Sequence, residues 1–280
     1  GAAASLAAPS LARTGLAYLS TLRRRDVPVL DRSVVTRFEG DGRVESVTTA
    51  RLGRDGLPDD KTTESHSVDA VCVGYGFLPS NTIAKAVGCL HSFDAELGYS
   101  VPVRTNTGLT SIEGVWVVGD SGGISGAHVA RHQGLLAGVD VVRHATGNDA
   151  CEPLGLRAAR RALKRHERFQ EAVRGIYSAP NFTHELADDE TVVCRCETVT
   201  LGEIRRSLSS GVQSAGALKR ATRAGMGKCQ GLYCGPVMSV LTAEATGRTL
   251  DDRSGFAPRP PTRPVAVSIA AAPETKDEED

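Results

Sequence analysis

The chain has 280 residues, room for two domains, and its 33 basic residues are balanced by 33 acidic ones, which excludes a global field for nucleic acid or an anionic membrane. Only 4% of residues are aromatic whereas 30 are glycine, a composition that suits an α/β protein rich in tight turns and argues against a platform for stacking bases. No apolar run reaches the ~20 residues of a membrane span, and the opening GAAASLAAPS has neither the basic start nor the apolar core of a secretion signal. A cytoplasmic location is expected, and Gly1 in place of Met marks a fragment or a processed product. The seven cysteines stand at 72, 89, 151, 194, 196, 229 and 234. That spread is too uneven for a disulfide scaffold and predicts a reducing compartment with one local cysteine site.

In chain order, residues 9–25 predict a helix, with Leu11, Leu16, Leu19 and Leu22 on one face and arginines in the last turn. Short β-rich runs at 27–30, 33–40 and 43–52 predict strands, and the polar 53–67 a loop. VDAVCVGYGFLPS (68–80) reads as a buried strand entering a glycine turn, NTIAKAVGC as helical, and GVWVVGD (114–120) as a second buried strand. A glycine loop then opens a helix of about five turns. Residues 154–177 predict a strongly basic helix, and 192–247 a compact block holding the four clustered cysteines. Beyond Gly247 the composition predicts a disordered tail, 248–280.

At the end of the second apolar run, Gly119 and Asp120 precede glycines 122, 123 and 126 and a helix. A strand end beside a helix N-terminus offers backbone N–H groups to an anion, and Asp120 can accept bonds from sugar-like hydroxyls. VCVGYGFLPS, TSIEGVWVVGD and the glycine loop together resemble the C-terminal half of the two-dinucleotide-domain, thioredoxin-reductase-like flavoprotein oxidoreductases. That resemblance implies an α/β fold, Gly119 and Asp120 as FAD ligands, Gly126, Ala127 and His128 near the flavin edge, and Gly74 and Gly76 at the crossover from an inserted nicotinamide-domain-like part. The strand–GxGxxG–helix fingerprints of that family are not in the sequence, and GYGFLP has Pro79 where the third glycine would stand. The chain reads as the family with its N-terminal portion removed or supplied elsewhere, so FAD retention by this chain alone stays open.

Cys194 and Cys196 form a C-x-C, Cys229 and Cys234 a C-x4-C. Each pair can bring two thiolates to one iron of a [2Fe–2S] rhombus, which needs four. Between them, Thr200 and Glu203 form a capping box, Ser214 caps a second helix, and Pro236 starts a third. Glycines 225, 227, 231 and 235 let bare backbone approach the sulfurs, and Arg223 and Lys228 add positive charge beside an anionic cluster. Zinc, a disulfide pair and inert thiols are the rival readings; C-x-C is a tight bite for a tetrahedral ion. The block resembles the bacterioferritin-associated-ferredoxin-like (BFD-like) [2Fe–2S] domain, as fused to flavoprotein subunits of opine oxidases, hydrogen cyanide synthase and dye-linked proline or hydroxyproline dehydrogenases. Some glycerol-3-phosphate dehydrogenases carry the same module.

The resulting division is 1–68, remainder of the inserted part; 69–150, the C-terminal segment of the FAD-binding domain; 151–185, a basic linker helix; 186–247, the small helical [2Fe–2S] domain; and the tail. The resemblance implies an FAD-dependent subunit of an amine, amino-acid or opine dehydrogenase. Its partners would be a second flavin-containing subunit, a small-molecule substrate and an external electron acceptor. A flavin-free [2Fe–2S] carrier or truncated non-catalytic subunit is the alternative, and no catalytic acid or base is assigned. His128 and His132 have metal-capable i, i+4 spacing but no third ligand is visible, and the basic helix carries an apolar stripe at Leu156, Leu163, Phe169 and Val173 that predicts docking rather than nucleic-acid binding. Cys72, Cys89 and Trp116 read as core; Cys151 has no visible partner.

Overall fold

The computed structural model describes residues 9–147, 155–176 and 184–271, so Cys151 lies outside the described residues. Two compact units emerge, each assembled from two stretches of chain: residues 1–78 with 124–182, and 79–123 with 183–280.

In the first unit, helix α1 (Pro9–Arg24) forms where its leucine periodicity predicts, ending on Arg23 and Arg24, yet none of its residues is buried. The run at 27–30 is not a strand: Pro28 lacks a ladder donor, and Val27, Val29 and Leu30 are exposed. Strands β1 (Ser33–Glu39) and β2 (Ser46–Arg51) pair antiparallel from Ser33↔Arg51 to Glu39↔Ser46, with one irregularity between Val35 and Arg37. Val34, Val47 and Ala50 are buried there. The loop expected at 53–67 contains a third strand, β3 (Glu64–Ser67), on the other edge of β2. Its sequence, ESHS, has no apolar alternation to announce it. Backbone pairing recruits it, with Thr49 Oγ1 3.0 Å from His66 Nε2.

The strand expected at 68–80 does not form. Residues 70–80 have no regular structure, and Val73, Tyr75, Phe77 and Leu78 are exposed, as is Cys72, which the sequence reads as core. A buried parallel strand needs a neighbour on each edge, and among the described residues no strand pairs with this segment.

Helices α3 (Gly126–Thr146) and α4 (Leu156–Ile176) complete the unit. At 21 residues α3 is about six turns long, a turn more than expected, and ends on left-handed Gly147. The buried positions of α4 recur at three- and four-residue steps, Leu156, Ala159, Leu163 and His166, and its leucines pack with Val129, Leu136 and Val139 of α3. Arg157, Arg160, Arg161, Lys164, Arg165 and Arg168 are exposed. The basic run is therefore the solvated face of a docked amphipathic helix.

In the second unit, α2 (Thr82–Ala86) is shorter than its sequence suggests and is followed by the hairpin β4 (His91–Asp94) and β5 (Tyr99–Pro102). Buried Asn81 ties the helix start to the hairpin by donating from Nδ2 to Ser100 O at 2.6 Å. GVWVVGD is not a strand: a lone bridge joins Leu109 and Trp116, and Val117 N–H donates to Gly108 O at 2.8 Å. Val117 still joins Ala84 and Cys89 in a small core, and Cys89 is buried as expected, its thiol 3.3 Å from Thr110 Oγ1. Trp116 is only half-buried.

The remainder of this unit is a hairpin and three helices: β6 (Val192–Cys194), β7 (Val199–Thr200), α5 (Leu201–Ser209), α6 (Ala215–Thr222) and α7 (Cys234–Thr246). Leu201, Ile204, Leu218, Ala224 and Met238 are fully buried in its core. The expectation of a tail without packing from residue 248 needs correcting, because Phe256 joins this core and a short helix, α8 (Val267–Ala270), follows. One aromatic ring gives a polar segment enough apolar surface to dock.

Candidate metal centre

Two helices of the cysteine block start on local caps that the sequence displays. The β6–β7 hairpin carries Cys194 at the end of its first strand and Cys196 in the turn, closed by Thr198 at φ +54°. Thr200 and Glu203 form the full capping box: Glu203 N–H donates to Thr200 Oγ1 at 3.3 Å, and Thr200 N–H donates to Glu203 Oε2 at 2.8 Å. Ala217 N–H donates to Ser214 Oγ at 3.2 Å, starting α6. That helix ends on left-handed Arg223, whose guanidinium reaches back to Glu197 at 3.0 Å and ties the two cysteine loops together. The positive charge expected from Arg223 is thus shared with a carboxylate. Gln230 Nε2 donates to both Met226 O and Gly227 O at 3.0 Å, closing the loop around Cys229. Helix α7 begins at Cys234, two residues before Pro236, so the fourth cysteine is itself the first helical residue.

The structure brings all four cysteines together. Cys196 Sγ lies 4.0 Å from Cys229 Sγ. Buried Cys194 and Cys234 are neighbours, and burial followed by the adjacent thiols of Cys194 and Cys229 pushes the Cys234 thiol up to about 12. The contacts therefore cross between the motifs, rather than falling within C-x-C and within C-x4-C as the spacing suggests. Backbone donors converge on the sulfurs: Gly225 N–H donates to Cys194 Sγ at 3.4 Å. Burial raises the Cys229 thiol, but the amides of Tyr233, Gly231 and Leu232 and the contact with Cys196 outweigh it, and the net shift is downward. Two of the four glycines act partly as expected, lending amides to sulfur. Gly227 has a steric role, since a Cβ there would overlap Cys196 Cβ.

These features fit a [2Fe–2S] group: four thiols in two pairs, amide donors aimed at sulfur, and an inner pair buried from water. Among the described residues, no group of three or more His, Cys, Asp or Glu side chains is close enough to hold a metal ion, and the four sulfurs stand as two contacting pairs.

The residues proposed for FAD are less complete. Gly119 and Asp120 lie in a 3₁₀ turn, Gly119–Gly122, whose Asp120 carbonyl accepts from Gly123 N–H at 3.2 Å. Arg104 braces this turn through Val117 O at 2.7 Å and Gly122 O at 3.0 Å, and its guanidinium fills the space a Cβ on Gly122 would need. This turn belongs to the second unit, whereas Gly74, Gly76, Gly126, Ala127 and His128 belong to the first. Gly74 and Gly76 lie in the exposed irregular segment. Five of the seven positions thus fall in the first unit and two in the second.

One cluster escaped the sequence. His166 of α4 stacks on His128 (centroids 4.8 Å, 9° between planes) and on His132 (5.7 Å, 16°), supplying the third imidazole that the i, i+4 pair lacked. Lone pairs lie in the ring planes, so near-parallel rings cannot turn them onto one ion. Burial lowers the pKa of His132 and His166, reinforced for His132 by Arg131, His128 and Arg165 and for His166 by His128, Arg165 and His132. The signal was the position of His166 on the apolar stripe of α4.

Residues 192–243 match the BFD-like [2Fe–2S] binding domain, a stretch that contains all four cysteines. Along most of its length the chain is also similar to oxidoreductase subunits. It is 32% identical over 261 residues to hydrogen cyanide synthase subunit HcnB of Pseudomonas aeruginosa, covering 93% of this chain and 56% of that protein. It is 32% identical over 267 residues to an opine oxidase subunit of Rhizobium meliloti, covering 94% of this chain and 55% of that protein. The crystal structure of L-proline dehydrogenase from P. horikoshii shares the fold, with a TM-score of 0.65 over 91% of this chain and 48% of that one, at 22% identity. The chain spans about half the length of the curated relatives it matches. The resemblance drawn from the motifs, to oxidoreductase subunits with a C-terminal BFD-like domain, is borne out, as is the mixed α/β fold class. No helix among the described residues is long and apolar enough to cross a membrane.

Proposed function

We propose that this chain is the electron-transferring part of a heteromeric, cytoplasmic dehydrogenase that oxidises an amine, amino acid or opine, with Cys194, Cys196, Cys229 and Cys234 holding a [2Fe–2S] cluster. The observation that carries the reading is the convergence of these four sulfurs, with backbone amides aimed at them, inside the stretch that matches a [2Fe–2S] domain. Such a cluster moves one electron at a time, which suits a relay between a two-electron flavin and an external acceptor. The residues of this chain hold the sulfurs, cover the inner pair from water and leave Cys196 exposed. A second, flavin-containing subunit is the expected partner, in keeping with relatives named as subunits.

Anaerobically purified protein should contain about two iron and two sulfide per chain, as a four-thiolate rhombus demands, and Cys229→Ser should bleach it. Zinc, or no metal, would overturn the reading. A second reading is a flavin-free electron carrier, which the lack of a GxGxxG fingerprint in the sequence suggests. Flavin released on denaturation separates the two: stoichiometric FAD supports the flavoprotein, and its absence supports the carrier.

A further inference from the structure

The four-glycine loop has an occupant that lies outside the matched domain. Phe256 stands beyond residues 192–243, in the segment whose composition reads as tail. Its ring nonetheless lies on a floor of backbone made by Gly225 and Gly231. A Cβ on Gly225 would come within 2.6 Å of the ring, one on Gly231 would overlap it, and one on Gly235 would touch it at 3.5 Å. Gly225 and Gly231 are buried beneath it, and their Cα atoms are close neighbours. Lys219 Nζ sits 4.9 Å from the ring centroid, a cation–π contact that holds the ring from α6. Asp251 and Ser254 fix the approach, with Ser254 Oγ 2.7 Å from Asp251 Oδ1.

The floor is the backbone that serves the sulfurs. Gly225 carries the amide that donates to Cys194, Gly231 an amide directed at Cys229, and Gly235 follows Cys234. We propose that Phe256 is a positioning residue that clamps the glycine loop leading to Cys229 and Cys234, keeping the Gly225 and Gly231 amides on their sulfurs and water out of the inner pair. Glycine at 225 and 231 is then required on two counts, the flat ring above and backbone φ values of +85° and +82°.

The inference rests on the cluster reading, but its test has an arm that does not. Hydrogen exchange of the 280-residue chain, read on the peptide spanning 224–235, should quicken about tenfold in Phe256→Ala and return to the parental rate in Phe256→Tyr. Leu208→Ala, which thins the same core from α5, should quicken this peptide no more than the rest of the domain. Loss of the visible absorption to a chelator should follow the same order. If Phe256→Ala does not fold, Phe256→Leu, which keeps bulk without a flat ring, is read in its place. Unchanged exchange in the Phe256 variant, or equal quickening in Leu208→Ala, would overturn the clamp. Protein without iron that still shows the exchange pattern would overturn the cluster reading and leave the clamp standing.

Discussion

Gly227→Ala isolates the demand of the site for bare backbone. No left-handed conformation is involved at 227, so the change acts through space alone. The added methyl would overlap Cys196 Cβ and stand 3.1 Å from its sulfur, while the Cys196 Cα is 3.4 Å away. The neighbour is not the far end of a flexible chain; it is a short side chain on a hairpin turn whose next residue, Glu197, is tied to Arg223. Overpacking of this kind costs ~1–3 kcal/mol. The thiol of Cys196 is also one half of the 4.0 Å contact with Cys229, so relief of the clash moves one of the four proposed cluster ligands. Gly216→Ala is the control: its Cβ meets nothing closer than an Arg220 guanidinium nitrogen at 3.8 Å, within helix α6, and should stabilise by about 0.5 kcal/mol. The assay is urea unfolding of the metal-free chain, followed by iron and sulfide content after anaerobic reconstitution. Gly227→Ala should lower the unfolding midpoint and retain less than half the parental iron, with Gly216→Ala unimpaired in both. Parental stability and cluster content in Gly227→Ala would refute the reasoning.

Three further outcomes are expected. Thr200→Ala removes the capping box and should cost ~1 kcal/mol in urea unfolding of the cysteine domain. In metal-free protein at neutral pH, iodoacetamide should label exposed Cys196 and half-buried Cys229 well before buried Cys194 and Cys234, and mass mapping of the adducts reads the order. His132 and His166 have pKa values below the ordinary histidine value; the unfolded chain therefore binds more protons between the folded pKa values and ~6.5, and stability falls as pH drops through that window. Melting of the α3–α4 pair, followed by exchange of its amides, should come at lower temperature at pH 5.5 than at 7.5, and His166→Gln should flatten the difference.

The cysteine block was legible because its rules are local: a capping box, a Ser cap and four thiols at short spacings all act within a few residues. The docked face of α4 was legible from its three-to-four periodicity. The two apolar runs at 68–80 and 114–120 were misread as strands because an apolar run reports only that burial is wanted. Whether a strand forms depends on neighbours that a run cannot specify. Conversely, β3 has no apolar pattern and forms by pairing with the edge of β2. Phe256, His166 and the Glu197–Arg223 bridge escaped for a related reason. Each meets its partners over more than 20 positions of sequence, as in the 26-residue separation of Arg223 from Glu197, and no spacing rule covers that distance.

The central claim is that single electrons enter a two-iron centre on these four cysteines. Electron paramagnetic resonance of the anaerobically reconstituted chain after one-electron reduction tests it most directly. The account predicts a signal integrating to about one spin per chain, as a reduced [2Fe–2S] centre gives, lost in Cys229→Ser. A colourless protein that stays silent on reduction, with zinc or no metal bound, would contradict it.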